Sequence, residues 1–319
     1  IPMLVISGGV RSDSDFEYQL HDMDQHAMLK PITKATFKVE TQAEILSTFY
    51  SAYKNATTGE PGPVFIEIPV NNQLYTGEVE NIQTYTDFLV DAPKKPIPSY
   101  ESALDEAVEL LLQARSPGIF VGWGAVDICS TTIEIAEILG APVSTTLQGL
   151  SSFPANHALH TGMSFGPAAV PAATNAFSTC DTLLAVGTRF GEIGTGSFGV
   201  SVPENLIHID INPEAINANY PAKIAITGDS KDIAPLLLQK LEAKITEQNI
   251  NVCARMKSVS ANIAKDKLAY TKEWHQHDTK GRVNPSKFFD ALRVKLPDDG
   301  FVVVDDGNHT FLTAELMPI

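Results

Sequence analysis

Short apolar runs closed by glycine or proline alternate along this chain with stretches whose apolar residues return every three or four positions. The first pattern marks buried parallel strands and the second amphipathic helices. Ile1-Pro2-Met3-Leu4-Val5-Ile6-Ser7-Gly8-Gly9 opens as a strand of this kind. Ile45, Phe49 and Tyr53 follow at helical spacing, and Gly59-Glu60-Pro61-Gly62-Pro63 turns the chain into Val64-Phe65-Ile66-Glu67-Ile68-Pro69. Helix, glycine-proline turn and a strand stopped by proline make half of an α/β unit. A partial α/β layer is therefore predicted over residues 1–90. Prolines 93, 96 and 98 crowd the next stretch, which predicts an extended linker over 91–99.

From Tyr100 the alternation becomes regular. Helices are predicted over 101–114, 130–139 and 168–178 and from Ser230 onward. Strands are predicted at Gly118-Ile119-Phe120-Val121, Pro142-Val143-Ser144-Thr145-Thr146, Thr182-Leu183-Leu184-Ala185-Val186, Leu206-Ile207-His208-Ile209-Asp210 and Lys223-Ile224-Ala225-Ile226. Such an order predicts an α/β fold: a doubly wound, Rossmann-like parallel sheet of about five or six strands, complete within residues 91–245. Residues 246–283 are polar and helix-prone, and read as a surface-running connector. Asn284-Pro285-Ser286 then caps a helix through Leu292. Gly300-Phe301-Val302-Val303-Val304 predicts a strand and Phe311–Leu316 the first turns of a helix, a second partial α/β layer over 284–319. A strand at one end and a helix at the other need neighbours, so the expectation is a segment from the middle of a longer polypeptide.

Composition narrows the function classes. Of 319 residues 44% are hydrophobic and 19% charged, enough for a sizeable core. The net charge is −15, which predicts no nucleic-acid partner, because no dense positive field is available for phosphates. Cys129, Cys180 and Cys253 are too few and too scattered for a disulfide framework, and predict a reducing, cytoplasmic setting. No apolar run has the length of a membrane span, and no membrane partner is expected.

Ligands of parallel α/β sheets bind at the C-terminal ends of the strands. Gly122-Trp123-Gly124 follows the first strand of the middle domain; it reads either as a close-approach loop for a phosphate or as a tight turn. Asp127 stands where the full dinucleotide fingerprint needs its last glycine. Asp210 ends an apolar strand, either to accept ribose hydroxyls or to cap the turn at Asn212-Pro213. Arg189, after Gly187-Thr188, faces a phosphate or pairs with a neighbouring acid. His157 and His160 have helical ligand spacing but lie in a Pro/Asn-rich stretch without a third ligand, so no metal site is predicted. His275 and His277 are expected to be solvated. Asp305-Asp306-Gly307-Asn308-His309 has the form of a strand end, glycine turn and helix start, suited to a diphosphate or to an ordinary N-cap.

Taken in order, several of these segments resemble the thiamine diphosphate-dependent enzymes, specifically the acetolactate synthase-like branch. The carriers are Ile1-Pro2-Met3-Leu4-Val5-Ile6-Ser7-Gly8, Lys30-Pro31-Ile32-Thr33-Lys34, Gly59 through Pro69, Gly187-Thr188-Arg189-Phe190 and His208-Ile209-Asp210-Ile211-Asn212-Pro213. The resemblance implies the last part of a pyrimidine-binding domain, a complete central domain and the start of a diphosphate-binding domain. It implies a homodimer or homotetramer acting on a small 2-oxo acid, with thiamine diphosphate and Mg2+ as cofactors. Gly307, Asn308 and His309 match positions on the cofactor diphosphate. His21 falls where many relatives carry a glutamine near the reacting centre. The catalytic glutamate is expected upstream of Ile1 and the Gly-Asp-Gly…Asn magnesium motif downstream of Ile319. Gly228-Asp229-Ser230 is not that motif. The segment alone is accordingly expected to be inert.

The middle domain departs from flavin-binding relatives. Glu60 stands for their arginine before Pro-Gly-Pro, Arg189-Phe190-Gly191-Glu192-Ile193 for Arg-Phe-Asp-Asp-Arg, and Ser164-Phe165-Gly166-Pro167 for Leu-Gly-Met-His. An acid in place of a base near a flavin diphosphate turns attraction into repulsion, so FAD is expected either not to bind or to bind differently. Gly122, Thr146, Leu147, Asp210 and Asp229 stay compatible with an adenine nucleotide. The resemblance thus leaves two enzyme readings, a carboligase or decarboxylase of 2-oxo acids and a 2-hydroxyacyl-CoA lyase or oxalyl-CoA decarboxylase. A non-catalytic nucleotide-binding module is the alternative from another class.

Overall fold

The computed structural model describes residues 1–77, 82–91, 100–297 and 299–317. Its contacts separate two units, residues 1–97 and 98–319. All but the first residue of the predicted 91–99 linker lies outside the described residues.

In the first unit the chain runs through β1 (Met3–Gly9), α1 (Gln25–Leu29), β2 (Ala35–Lys38), α2 (Ile45–Thr57), β3 (Pro63–Pro69), α3 (Val70–Leu74) and α4 (Tyr85–Asp91). The three strands are parallel in the order β1-β3-β2, so the proline-bracketed strand is central. Val64 and Ile66 face Ala52 and Ala56 of α2, with Val39 completing the core. Ala52 and Ala56 thus carry the inner face of α2, whereas Tyr53 is half exposed. β1 is an edge strand that exposes Met3 and Ile6, not the fully buried strand its apolar run predicted. β2 was missed because Thr36 and Lys38 interrupt its apolar residues.

The second unit is built from α5 (Glu101–Gln113), β4 (Pro117–Val121), α6 (Cys129–Leu139), β5 (Val143–Thr145), β6 (His160–Met163), α7 (Pro171–Phe177), β7 (Thr182–Val186), β8 (Asn205–Asp210), β9 (Ile224–Thr227), α8 (Ser230–Gln248), α9 (Cys253–Gln276), α10 (Pro285–Lys295) and α11 (Asn308–Leu316). The sheet is parallel with six strands in the order β6-β5-β4-β7-β8-β9. This is the doubly wound order: the first three strands grow one way from β4 and the next three the other, with a switch point between β4 and β7. β4 and β7 are buried throughout, and their side chains pack into two clusters on opposite faces of the sheet.

The connector read as polar and helix-prone is largely helix, and it is more than surface-running: α8 runs to Gln248, and α9 packs on α7 by burying Ile263 and placing Asp266 Oδ2 2.8 Å from Asn175 Nδ2. One expectation is corrected here. Residues 301–305 form no strand, and Phe301 and Val303 are exposed. A parallel strand requires a neighbour to hydrogen-bond, and no described residue pairs with this stretch. The helix predicted after Asn284 is present as α10, with Asn284 Oδ1 accepting from Lys287 N at 3.2 Å.

Candidate functional site

Strand pairing places six of the predicted residues along one edge of the second unit's sheet. Val121 pairs with Thr145 on one side and Val186 on the other, and Val186 pairs with Ile209. The residues that follow these strand ends are Gly122, Thr146-Leu147, Gly187 with exposed Arg189 beyond it, and Asp210. Asp210 pairs with Thr227, which brings Asp229 to the same edge.

At the switch point the two glycine turns press on each other. Gly122 N donates to Val186 O at 3.0 Å, Gly124 N to Gly187 O at 3.1 Å and Gly187 N to Ile209 O at 2.8 Å. A Cβ on Gly122 would lie 2.2 Å from Gly187 O, and one on Gly187, at φ +60°, would lie 2.4 Å from Gly124 Cα. Glycine is required here by the contact of two backbones, whether or not a ligand binds. Ser152 Oγ donates to Gly122 O at 2.7 Å and Ser230 Oγ to Gly124 O at 2.5 Å, so the first turn of α8 is tied to the loop after β4. These amides being engaged, a ligand at this edge meets side chains: Thr146, half-buried Leu147, Arg189, Asp210 and Asp229.

Those side chains already have partial duties. Thr146 Oγ1 accepts from Gly149 N at 3.0 Å. Asp210, nearly buried, accepts from Asn212 N at 2.8 Å, the turn-capping bond the sequence offered as one of two readings. Asp229 is the N-cap of α8, accepting from Lys231 N at 2.9 Å. Beneath the edge, His208 Nε2 lies 2.8 Å from Thr188 O, while its Nδ1 is buried without a partner. Burial pushes the His208 pKa down, offset in part by the bond to Thr188 and by Asp210. Burial also raises Cys180 to about 12, which removes it as a thiolate nucleophile at neutral pH.

The remaining predicted residues lie elsewhere. Gly307, at φ +144°, precedes α11 and gives that helix no side-chain cap, so the first amides beside exposed Asn308 and His309 lack one. An uncapped helix start suits an anion such as a diphosphate. His21 belongs to the first unit, exposed at φ +63° in a turn closed by Asp22 N to Gln19 O at 3.1 Å. His157 Nε2 pairs with Glu137 Oε1 at 3.3 Å, whereas His160 is buried on β6. His275 and His277 are exposed, as expected, and His275 also meets Asp290 at 2.7 Å, joining α9 to α10. Among the described residues no three His, Cys, Asp or Glu side chains converge as a metal site would require. Cys129, Cys180 and Cys253 are free thiols.

Sequence reasoning passed over one charged group in the first unit. Glu67 is buried in central β3, with His26 Nε2 at 3.3 Å and Lys38 Nζ at 4.0 Å. A glutamate inside the apolar run Val64-Phe65-Ile66-Glu67-Ile68 was the available signal.

An α/β chain with a doubly wound central sheet is the class this geometry defines. Residues 104–240 match the family model described as the thiamine pyrophosphate enzyme, central domain. A probable acetolactate synthase large subunit from Methanocaldococcus jannaschii is 34% identical over 247 residues, covering 76% of this chain and 41% of that protein. Acetolactate synthase large subunits from Haemophilus influenzae (29% over 322 residues, 98% of this chain and 54% of the relative) and Corynebacterium glutamicum (32% over 257 residues, 77% and 39%) are similar too. The chain belongs to the thiamine pyrophosphate-dependent enzymes, in their acetolactate synthase-like branch. It spans about half the length of the curated relatives it matches. No described helix is long and apolar enough to cross a membrane.

Proposed function

We propose that this chain is the central portion of a thiamine diphosphate-dependent carboligase or decarboxylase acting on 2-oxo acids, of the acetolactate synthase kind. The observation that carries the reading is the central-domain match over 104–240, followed in the same chain by the uncapped start of α11 at Gly307. When bound, thiamine diphosphate supplies an electron sink for breaking or forming the bond beside a 2-oxo group. The first amides of α11, with Asn308 and His309, would hold the diphosphate by charge-assisted hydrogen bonds. His21 is proposed to supply the proton donor nearest the substrate carbonyl, where many relatives place a glutamine. Mg2+ is proposed to bind through residues that are not among these 319. The working assembly is proposed to be a cytoplasmic homodimer or homotetramer.

At the edge of the central sheet the proposed ligand is an adenine nucleotide, held by the hydroxyl of Thr146 and the charges of Arg189 and Asp210, with Asp229 at the start of α8. Such a ligand favours, as the second reading, a 2-hydroxyacyl-CoA lyase or oxalyl-CoA decarboxylase type. What supports it is that those side chains follow the ends of neighbouring strands along one edge of the sheet.

The test is an assay of the longer polypeptide this reading requires, supplied with thiamine diphosphate, Mg2+ and pyruvate or oxalyl-CoA. Carboligation or decarboxylation of pyruvate, lowered in kcat by His21→Ala, supports the first reading. Turnover of oxalyl-CoA alone supports the second, and turnover of neither sinks both. The 319 residues by themselves are expected to turn over no 2-oxo acid; rates comparable to the longer protein would overturn that expectation.

A further inference from the structure

α11 carries Asn308 and His309 at its exposed start and Glu315 in its last turn, about 10 Å further along the axis. Apolar residues do not fix how this helix is turned about that axis. Phe311, Leu312, Ala314 and Leu316 are each half-buried and point to different sides, and Thr313 is the one buried residue within the helix. A helix without a single apolar stripe takes no preferred rotation from burial alone. Rotation decides where Asn308 and His309 point, because successive side chains on a helix are set about 100° apart.

A polar contact supplies the missing direction. Tyr270 Oη, on α9, donates to Glu315 Oε2 at 2.8 Å. Among the described residues no other side-chain hydrogen bond joins α11 to another helix. α9 is itself held on both sides of Tyr270. Asp266 Oδ2 lies 2.8 Å from Asn175 Nδ2 on α7, Trp274 O accepts from Asn284 Nδ2 at 2.7 Å, and His275 Nε2 lies 2.7 Å from Asp290 Oδ2 on α10. Burial raises the Glu315 pKa, and the Tyr270 hydroxyl offsets part of that rise. The last turn of α11 holds no basic residue, and its carbonyl end disfavours an acid, so Tyr270 is what makes the carboxylate acceptable there. Burial also lifts the Tyr270 pKa, to about 12, so the phenol stays a donor at neutral pH.

We propose that Tyr270 is a positioning residue for the start of α11: its hydroxyl pins Glu315 and so sets the rotation at which Asn308 and His309 meet the cofactor diphosphate. This role rests on the reading of Gly307, Asn308 and His309 as diphosphate contacts, whereas the pin itself is a property of these 319 residues. Tyr270 acts through the helix, so its removal shows in cofactor affinity and not in the chemical step.

The experiment has two arms. In the 319-residue chain without cofactor, amide hydrogen exchange along α11 is expected to quicken by about threefold or more in Tyr270→Phe, as a local opening made easier does. In the longer protein, titration calorimetry with thiamine diphosphate and Mg2+ is expected to give a Kd raised about fivefold or more by Tyr270→Phe and by Glu315→Leu, within what one hydrogen bond to a charged group supplies. Glu315→Gln keeps an acceptor for the phenol and is expected to bind within about twofold of the unmodified protein. Tyr270→Phe combined with Glu315→Leu is expected to be no worse than either alone, since both remove one contact. In turnover assays the KM for thiamine diphosphate should rise while kcat at saturating cofactor holds, a split that loss of folded protein does not produce. Unchanged exchange in Tyr270→Phe overturns the pin, and faster exchange with unchanged affinity overturns the positioning role. An unmodified longer protein that binds no thiamine diphosphate overturns the reading of α11 and the positioning role with it, and the exchange arm shows separately whether the pin holds.

Discussion

His160 shows what burial does to a single side chain in this protein. It is 6% exposed on β6 and stacked on Phe153 with ring centroids 6.2 Å apart. Burial, with the Lys267 and His157 charges adding to it and the Ala155 backbone offsetting it in part, pushes its pKa down to about 3 from an ordinary 6.5. The folded state therefore prefers the neutral ring, while the unfolded chain takes up a proton below 6.5. Stability from this group is complete above pH 6.5 and falls as pH drops toward 3, by up to about 1.4 kcal/mol per pH unit. Thermal midpoints between pH 7.5 and 5 should fall, and His160→Phe should flatten part of that slope; an unchanged slope would contradict the assignment. A second residue-scale prediction concerns the switch point. Gly122→Ala puts a methyl against Gly187 O and should cost about 1–3 kcal/mol by urea unfolding, as overpacking does.

At the scale of elements, β4, β7 and β8 were legible because they are buried on both faces, leaving their apolar runs almost uninterrupted. β6 was not: His160-Thr161-Gly162-Met163 is polar, follows Pro154 and Asn156, and pairs on one side only. α9 was legible as helix-prone but not as a packed helix, since Ile263 is its single buried residue and Met256 and Val259 are only partly buried against the core. Its docking depends on long-range partners that no local pattern encodes: Asn175 to Asp266, Tyr270 to Glu315 at 2.8 Å, and His275 to Asp290. Ile263→Ala should loosen α9 from α7 and cost about 2–4 kcal/mol, within the range for buried truncations. Trypsin should then cut at Lys257 or Lys265 sooner than in the unmodified chain; unchanged cleavage would mean the helix is held mainly by its polar bonds.

Across the whole molecule, the C-terminal edge of the central sheet could be located from sequence because strand alternation fixes topology and topology fixes where ligands enter. Gly122, Thr146, Leu147, Arg189, Asp210 and Asp229 reach that edge together for this reason. What the sequence withheld is how their atoms are already engaged. That the amides of Gly122 and Gly124 point at the end of β7 depends on residues 186 and 187, and Arg255 meets Ala114 across 141 positions. Gly307, Asn308 and His309 were legible as a glycine turn opening a helix, and α11 begins there. The family follows from the central-domain match, whereas cofactor and substrate rest on the proposal. The most direct test is a calorimetric titration of thiamine diphosphate with Mg2+ into the longer protein and into its Gly307→Val and Asn308→Ala variants. The account predicts saturable binding, weakened about tenfold or more by either change. No saturable heat, or an affinity in both variants unchanged from that of the unmodified protein, would contradict it.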